Sequence, residues 1–344
     1  MSRIPLHDVI AQNRSIQAEL DIAWNSVNES GVFVNGPEVQ KFEAGFANYI
    51  GTNHCVGVGN ATDGFEIAFQ ALSLNAADEV IIPANVHVSP ALAVLKVGLK
   101  PVFCDVDETR MLPNAETVNA RISDKTKAVV AVHLYGRVCP LDELKKICNE
   151  NNLILIEDFS QAHGATFNGN RVGSFGDVNI CSFYPTKPLG ALGDGGAILT
   201  SDPEIYRTCR ELANYGWNQR DNAASPGRNS RLDELQASIL NVKLKYLDQW
   251  NLARIESAQK FQSELGAGDI CHLNVIRSEY RDELARFLNE KGVASQVHYP
   301  IPIHKQSLLS SSESLPISEK LASEVLSVPL NQEVLQLVRE FQST

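Results

Sequence analysis

Several absences narrow the chemistry of this chain before any motif does. No stretch of eighteen or more apolar residues occurs in its 344 residues, so no membrane-spanning helix is expected. The opening, MSRIPLHDVIAQNRSI, brings in polar and charged residues too early for a signal-peptide core, and a cytoplasmic protein is expected. The seven cysteines include no C-x-x-C pair, and the eight histidines show no H-x-x-x-H spacing. Neither a disulfide framework nor a metal site is expected. Basic residues are the minority, 30 against 41 acidic ones, leaving a formal charge of −11. A nucleic acid or an anionic membrane would meet a repulsive mean field, so neither is an expected partner. An anionic small molecule stays open through local clusters such as Arg220, Arg228 and Arg231, although such a run is more often a solvated loop. The G-x-x-x-x-G-K-[ST] spacing of a nucleotide P-loop is also missing.

What is present is an alternation. Short apolar runs at 79–83, 101–105, 128–133, 153–158 and 178–183 are separated by helical patterns at 62–74, 89–97 and 141–151 and by a Gly-rich stretch at 164–176. Near-continuous apolar strands alternating with helices predict an α/β fold with a mostly parallel sheet covered on both faces. Ligands of such sheets bind at the carboxyl ends of the strands. His133, Asp158 and Ser182 fall at or near such ends, which predicts one crevice built from distant residues. From Arg231 to Leu247, apolar residues at 232, 235, 239, 242 and 246 predict one long amphipathic helix. Beyond it a smaller α+β unit is expected, with a strand near 272–276, a helix at 281–291, a strand near 294–299 and a Ser-rich loop at 307–314. The boundary is placed within the long helix, giving a large domain over 1–245 and a small one over 246–344.

Lys187 is the residue most in need of explanation. It lies between two prolines in Ser182-Phe183-Tyr184-Pro185-Thr186-Lys187-Pro188-Leu189-Gly190, directly after an apolar run. A lysine held on a restricted segment beside a buried strand is open to desolvation, which lowers its pKa and makes the amine a nucleophile able to form Schiff bases. Asp158 ends an apolar strand, a costly place for a charge unless a cation or a charged donor compensates it. A protonated pyridine nitrogen is one such partner, and capping of a following turn is the other reading. Thr62 and Asp63 open a helical segment after Gly57-Val-Gly-Asn-Ala61, where first-turn amides and a hydroxyl could hold a phosphate or merely cap the helix. His87 follows a strand end, where it could stack on a flat ring or serve as a hydrogen-bonded structural residue.

Four ordered blocks, E-D-F-S-Q-A-H-G-A (157–165), S-F-Y-P-T-K-P-L-G-A-L-G-D-G-G-A (182–197), N-S-R-L-D-E-L-Q-A (229–237) and H-Y-P-I-P-I-H-K-Q (298–306), resemble the DegT/DnrJ/EryC1/StrS family of pyridoxal-phosphate-dependent nucleotide-sugar aminotransferases. The resemblance runs over nearly the whole chain. It implies the aspartate aminotransferase fold (fold type I) and a cofactor, pyridoxal 5'-phosphate, bound as a Schiff base by Lys187, which also acts as acid and base. It implies Asp158 on the pyridine nitrogen, Gln161 near the ring face and its phenolic oxygen, and His87 at the ring-stacking position. Thr62, Asp63 and Ser182 match phosphate-binding positions, and Asn229 matches a residue reaching the phosphate from a second subunit, hence a homodimer with composite sites. Tyr184, Arg220, His298 and Tyr299 are the implied sugar or diphosphate contacts. A branch of the family replaces the lysine by histidine and dehydrates; this chain keeps lysine, so transamination is implied, from L-glutamate to a nucleotide-linked keto sugar in deoxyamino-sugar biosynthesis such as that of lipopolysaccharide O-antigen. Gly-Ala-Leu-Gly-Asp-Gly-Gly after the lysine is similar to family members acting at the sugar 3-position, which points to a dTDP-3-oxo-6-deoxyhexose. Lys187-Pro188 also occurs in enzymes of UDP-linked 3-oxo sugars, and a 4-keto sugar is another alternative; a non-catalytic cofactor-binding regulator is the third, disfavoured because a mere binder needs no acid/base lysine.

Overall fold

The computed structural model describes residues 3–261 and 263–343. Three helices, α1 (Val9–Arg14), α2 (Gln17–Ser30) and α3 (Pro37–Ile50), precede β1 (His54–Val58). Alternation follows: α4 (Ala61–Ala71), β2 (Glu79–Pro83), α5 (Ser89–Lys96), β3 (Lys100–Cys104), α6 (Ala115–Asn119), β4 (Thr126–Val132), α7 (Leu141–Glu150) and β5 (Ile154–Asp158). A tight hairpin, β6 (Thr166–Phe167) and β7 (Asn170–Arg171), leads into β8 (Val178–Ser182) and β9 (Gly196–Thr200). Then come α8 (Pro203–Leu212), a hairpin of β10 (Trp217–Gln219) and β11 (Asn222–Ala223), α9 (Glu234–Leu244) and α10 (Leu247–Phe261). The chain finishes with β12 (Asn274–Arg277), α11 (Arg281–Glu290), α12 (Pro316–Glu324), β13 (Val325–Val328) and α13 (Gln332–Gln342).

Seven strands form the central sheet in the order β1-β9-β8-β5-β4-β2-β3. β9 pairs antiparallel with both neighbours and every other pairing is parallel, as continuous apolar runs require when both faces are covered. All five residues of β2 and of β9 are buried. Because Asp158 lies level with Ile180, and Ser182 and Val58 both face Gly196, the carboxyl ends of β1, β5 and β8 share one edge of the sheet. A separate apolar cluster, including Phe261, Leu284, Leu288, Leu326, Val334 and Val338, joins α10, α11 and α13 to the β12–β13 pair. The first described residues join this C-terminal unit: Ile4 bridges Val293 and packs against the same cluster, although it was grouped by sequence with the large domain.

The expected single helix from Arg231 is two helices. Arg231–Asp233 are drawn out of it because Asp233 bridges Val34 and the Glu234 amide donates to the Phe33 carbonyl; the helix breaks again at Lys245–Tyr246. Nor is α9 amphipathic, since Ala237, Ser238, Ile239, Leu240, Val242 and Lys243 are all buried between α2, α3 and the Lys187 segment. Residues 294–299 make no strand, only a single bridge from Gln296 to Ser327, because the chain there turns to deliver His298 and Tyr299. Near 272, the Ile270 and His272 amides donate to the Gly136 and Tyr135 carbonyls, so pairing with β13 begins only at Asn274.

Candidate active site

Lys187 sits on a closed turn that starts where β8 ends. Its amide donates to the Tyr184 carbonyl at 2.8 Å, and the Ala191 amide donates back to Phe183 at 2.8 Å. Gly190 lies so close to Pro185 that a Cβ there would meet the Pro185 carbonyl oxygen at 2.4 Å, and only glycine closes this turn. The turn is gripped from α9 at two points two helical turns apart: Gln236 Oε1 accepts from the Leu192 amide, and Lys243 Nζ donates to the Gly190 carbonyl, both at 2.8 Å. Lys243 is only 1% exposed and has no carboxylate partner among the described residues, and burial pulls its pKa down to about 8.

Desolvation lowers the Lys187 pKa, and the charge of Asp158 opposes the shift. Five histidines lie in electrostatic reach of the amine: His7, His87, His163, His272 and His298. Each is held below its ordinary value first by desolvation and then by cations that include Lys187, so all five are neutral at pH 7.

Asp158, at the end of β5, accepts from the Ser160 amide at 3.0 Å, the turn interaction that was its alternative role. Ser160 Oγ in turn accepts from the Ser182 amide at 3.0 Å, tying the ends of β5 and β8 together. Gln161 is buried, with its Oε1 accepting from the Tyr135 amide at 2.7 Å and its Nε2 donating to Tyr299 Oη at 3.4 Å. Burial and the Asp158 charge raise the Tyr299 phenol to about 12. Tyr299 meets the His87 ring edge-on at 5.7 Å, and Tyr135 Oη donates to the His298 carbonyl while the His298 ring bonds Ser327 Oγ at 2.8 Å. Lys187, Asp158, Gln161, Ser182, His87, His298 and Tyr299 are thus brought together.

Asp63 is not placed as expected. Asn60 is the N-cap of α4, and its side chain takes the Asp63 amide at 2.9 Å. The Asp63 carboxylate is committed to Arg228 at 2.6 Å and Ser230 at 2.7 Å, so Asp63 anchors the helix start and leaves the Ala61 and Thr62 amides as its open first-turn donors. Arg228 also pairs with buried Glu66, which removes it from the expected arginine cluster. Arg231 donates to Asn214, and Arg220, 92% exposed on the β10–β11 hairpin, does not reach the crevice of its own chain. Asn229 is exposed between Arg228 and Ser230, and Tyr184 is 53% exposed beyond β8. The His133 ring turns inward to Glu157 at 2.9 Å instead of facing the crevice, and both side chains are fully buried.

Sequence reasoning passed over His7, Asn60, Tyr135, Lys243, Arg254 and His272. Asn60 carried a findable signal, an Asn directly before a helical run; the others are brought in by contacts between residues far apart in the chain.

The donor set fits pyridoxal phosphate. A nucleophilic amine beside a carboxylate answers an aldehyde and a ring nitrogen. The start of α4, with Thr62, answers a phosphate, and Gly196 lets that start approach the sheet, since a Cβ there would lie 2.6 Å from the Asn60 carbonyl carbon. Among the described residues no cluster of His, Cys, Asp or Glu could hold a metal, and no helix is long and apolar enough to cross a membrane.

The sequence profile of the DegT/DnrJ/EryC1/StrS aminotransferase family matches residues 14–336. The chain is 40% identical to the dTDP-3-amino-3,6-dideoxy-alpha-D-galactopyranose transaminase of Aneurinibacillus thermoaerophilus, over 95% of this chain and 94% of that one. It is 35% identical to a UDP-N-acetyl-3-dehydro-alpha-D-glucosamine 3-aminotransferase of Acidithiobacillus ferrooxidans, over 96% and 94%. The crystal structure of S. venezuelae DesV in complex with a ketimine intermediate superposes with a TM-score of 0.96 at 36% identity, covering 100% of both chains.

Proposed function

The chain belongs to the DegT/DnrJ/EryC1/StrS aminotransferase family, and from that premise we propose that it transfers an amino group from L-glutamate to C3 of a dTDP-linked 3-oxo-6-deoxyhexose. It is a pyridoxal-phosphate-dependent sugar aminotransferase. The observation that carries the mechanism is Lys187, an amine with a lowered pKa in reach of the Asp158 carboxylate. Bound pyridoxal phosphate supplies an aldehyde carbon and an electron-accepting ring. Asp158 would hold the pyridine nitrogen, His87 would pack on the ring, and Gln161, fixed by the Tyr135 amide, would lie at its phenolic oxygen. Thr62, Ser182 and the open amides of α4 would hold the phosphate. Desolvation keeps a larger fraction of Lys187 Nζ neutral near pH 7, so Nζ can accept the proton leaving the donor's α-carbon and return it during amination of the sugar carbon. In a homodimer, exposed Asn229 and Arg220 would reach the partner's crevice, the first at the phosphate and the second at the diphosphate. Tyr184, His298 and Tyr299 contact the sugar.

Two observations favour position 3. Gly193-Asp194-Gly195-Gly196 follows the lysine turn, and both relatives carry names for chemistry at that carbon. dTDP is favoured over UDP by the higher identity to the dTDP-sugar relative; a UDP-linked 3-oxo sugar is the second reading, supported by Lys187-Pro188-Leu189-Gly190. The test is to incubate the enzyme and L-glutamate with dTDP-3-oxo, UDP-3-oxo and dTDP-4-keto sugars separately and to locate the new amine by NMR. A C3 amine on the dTDP sugar is expected; an amine found only at C4 would overturn the assignment.

A further inference from the structure

A second cavity, of about 270 Å³, opens on Lys187 and takes in none of Asp158, Gln161, Ser182 or His87. His7, Arg254, His272 and Trp250 build its wall. His7 and His272 stack with ring centroids 5.2 Å apart and planes 15° apart. His272 is only 5% exposed, yet neither its ring nitrogens nor those of His7 hydrogen-bond to protein among the described residues. Ring nitrogens that face a cavity without a protein partner are free to hydrogen-bond a ligand there. Arg254 makes the same point in charge. Its Nε and Nη2 donate to the Cys271 and His272 carbonyls at 2.6 and 2.5 Å, whereas Nη1 has no partner and no carboxylate pairs with the guanidinium among the described residues. The one carboxylate on the cavity wall, Asp8, is engaged with the Ala11 amide as the cap of α1. A half-buried cation without a counter-ion, beside two neutral N–H donors, calls for an oxyanion.

We propose that this cavity is the carboxylate subsite for the amino donor, with Arg254 Nη1 as the principal contact and His7 and His272 as hydrogen-bond donors. The proposal rests on the aminotransferase reading and adds to it where the donor is held. The other source of an oxyanion is the diphosphate of the sugar nucleotide, and connectivity separates the two. An α-amino acid bears its carboxylate on the carbon that bears the amine, so the anion site must adjoin Lys187. A nucleotide sugar carries its diphosphate on C1, several bonds from a 3-keto carbon. The cavity also falls just below the roughly 300–1,000 Å³ of sites for larger ligands, which suits an amino acid.

The experiment uses holoenzyme and follows the two half-reactions separately by the visible absorbance of the cofactor: L-glutamate against the pyridoxal form, and keto sugar against the pyridoxamine form. His7→Phe preserves the stack on His272 and removes the N–H; Arg254→Lys keeps the charge and loses the fork. Each variant is expected to raise the L-glutamate concentration for half-maximal rate about tenfold or more, the loss typical of a charged hydrogen bond, with the keto-sugar half-reaction unmoved. The preference for glutamate over benzylamine, which has no carboxylate, should fall by the same factor, a change that loosened packing would not produce. If only the keto-sugar half-reaction weakens, the cavity serves the diphosphate and the proposal fails; it fails equally if neither half-reaction changes in His7→Phe. A wild-type enzyme inert to L-glutamate would instead refute the donor assignment on which the proposal rests.

Discussion

Replacing Lys243 with methionine tests how a cation is kept beneath the catalytic turn. The lysine is 1% exposed, its ammonium bonds only Gly190 among the described residues, and its pKa is drawn from 10.5 to about 8 by burial. That gap is worth about 3 kcal/mol, the cost of holding the charged form inside the fold. Between pH 8 and 10.5 the unfolded chain binds more protons at this site than the folded one, so wild-type stability rises with pH across that window. Methionine fills a similar volume and does not titrate. From pH 7.5 to 10 wild type should therefore gain about 2 kcal/mol on Lys243→Met, while the lost hydrogen bond to Gly190 contributes a constant offset of about 1–3 kcal/mol. Urea unfolding of both holoenzymes, followed by tryptophan fluorescence at matched pH values, reads the difference directly, since the other titrating groups cancel. Stability curves that stay parallel from pH 7.5 to 10, or a wild type that loses ground, would refute the reasoning.

Other outcomes follow from the same geometry. Arg228→Ala leaves Glu66, whose side chain is 1% exposed, with Lys96 at 3.0 Å as its one remaining ion-pair partner among the described residues and frees the Asp63 carboxylate at the start of α4; a loss of about 3 kcal/mol is expected by chemical denaturation, along with weaker cofactor retention on dialysis. Asp158→Asn should retain the fold and lower kcat at least about a hundredfold, measured by coupled assay of 2-oxoglutarate release. Mixing inactive Lys187→Ala with inactive Asn229→Ala should restore part of the activity through heterodimers carrying one intact composite site; no recovery after verified subunit exchange would exclude the composite site.

Much of the site was legible because its residues lie where sequence pattern is strongest. Asp158 and Ser182 end apolar runs, and the order of runs and helices places both at one sheet edge. Gln161 and Lys187 follow within a few residues of those ends, so their positions are local consequences of the strands. What was illegible depends on long-range packing. His7 meets His272 across most of the chain, and nothing in either neighbourhood signals the other. The pattern from Arg231 to Leu247 is helical in period, but pairing of Asp233 with Val34 and burial of α9 on every side override it. The Asp63 amide was expected to face a phosphate, whereas the Asn60 side chain takes it as the cap of α4. His133 was read as facing the crevice because its strand ends there, yet the buried Glu157 carboxylate turns the ring inward.

Mapping the covalent attachment tests the account most directly. Reducing the yellow holoenzyme with borohydride and sequencing its peptides by mass spectrometry should find a pyridoxyl group on the peptide containing Lys187 and on no other. A label on a different lysine, or a Lys187→Ala enzyme that still aminates a keto sugar, would contradict it.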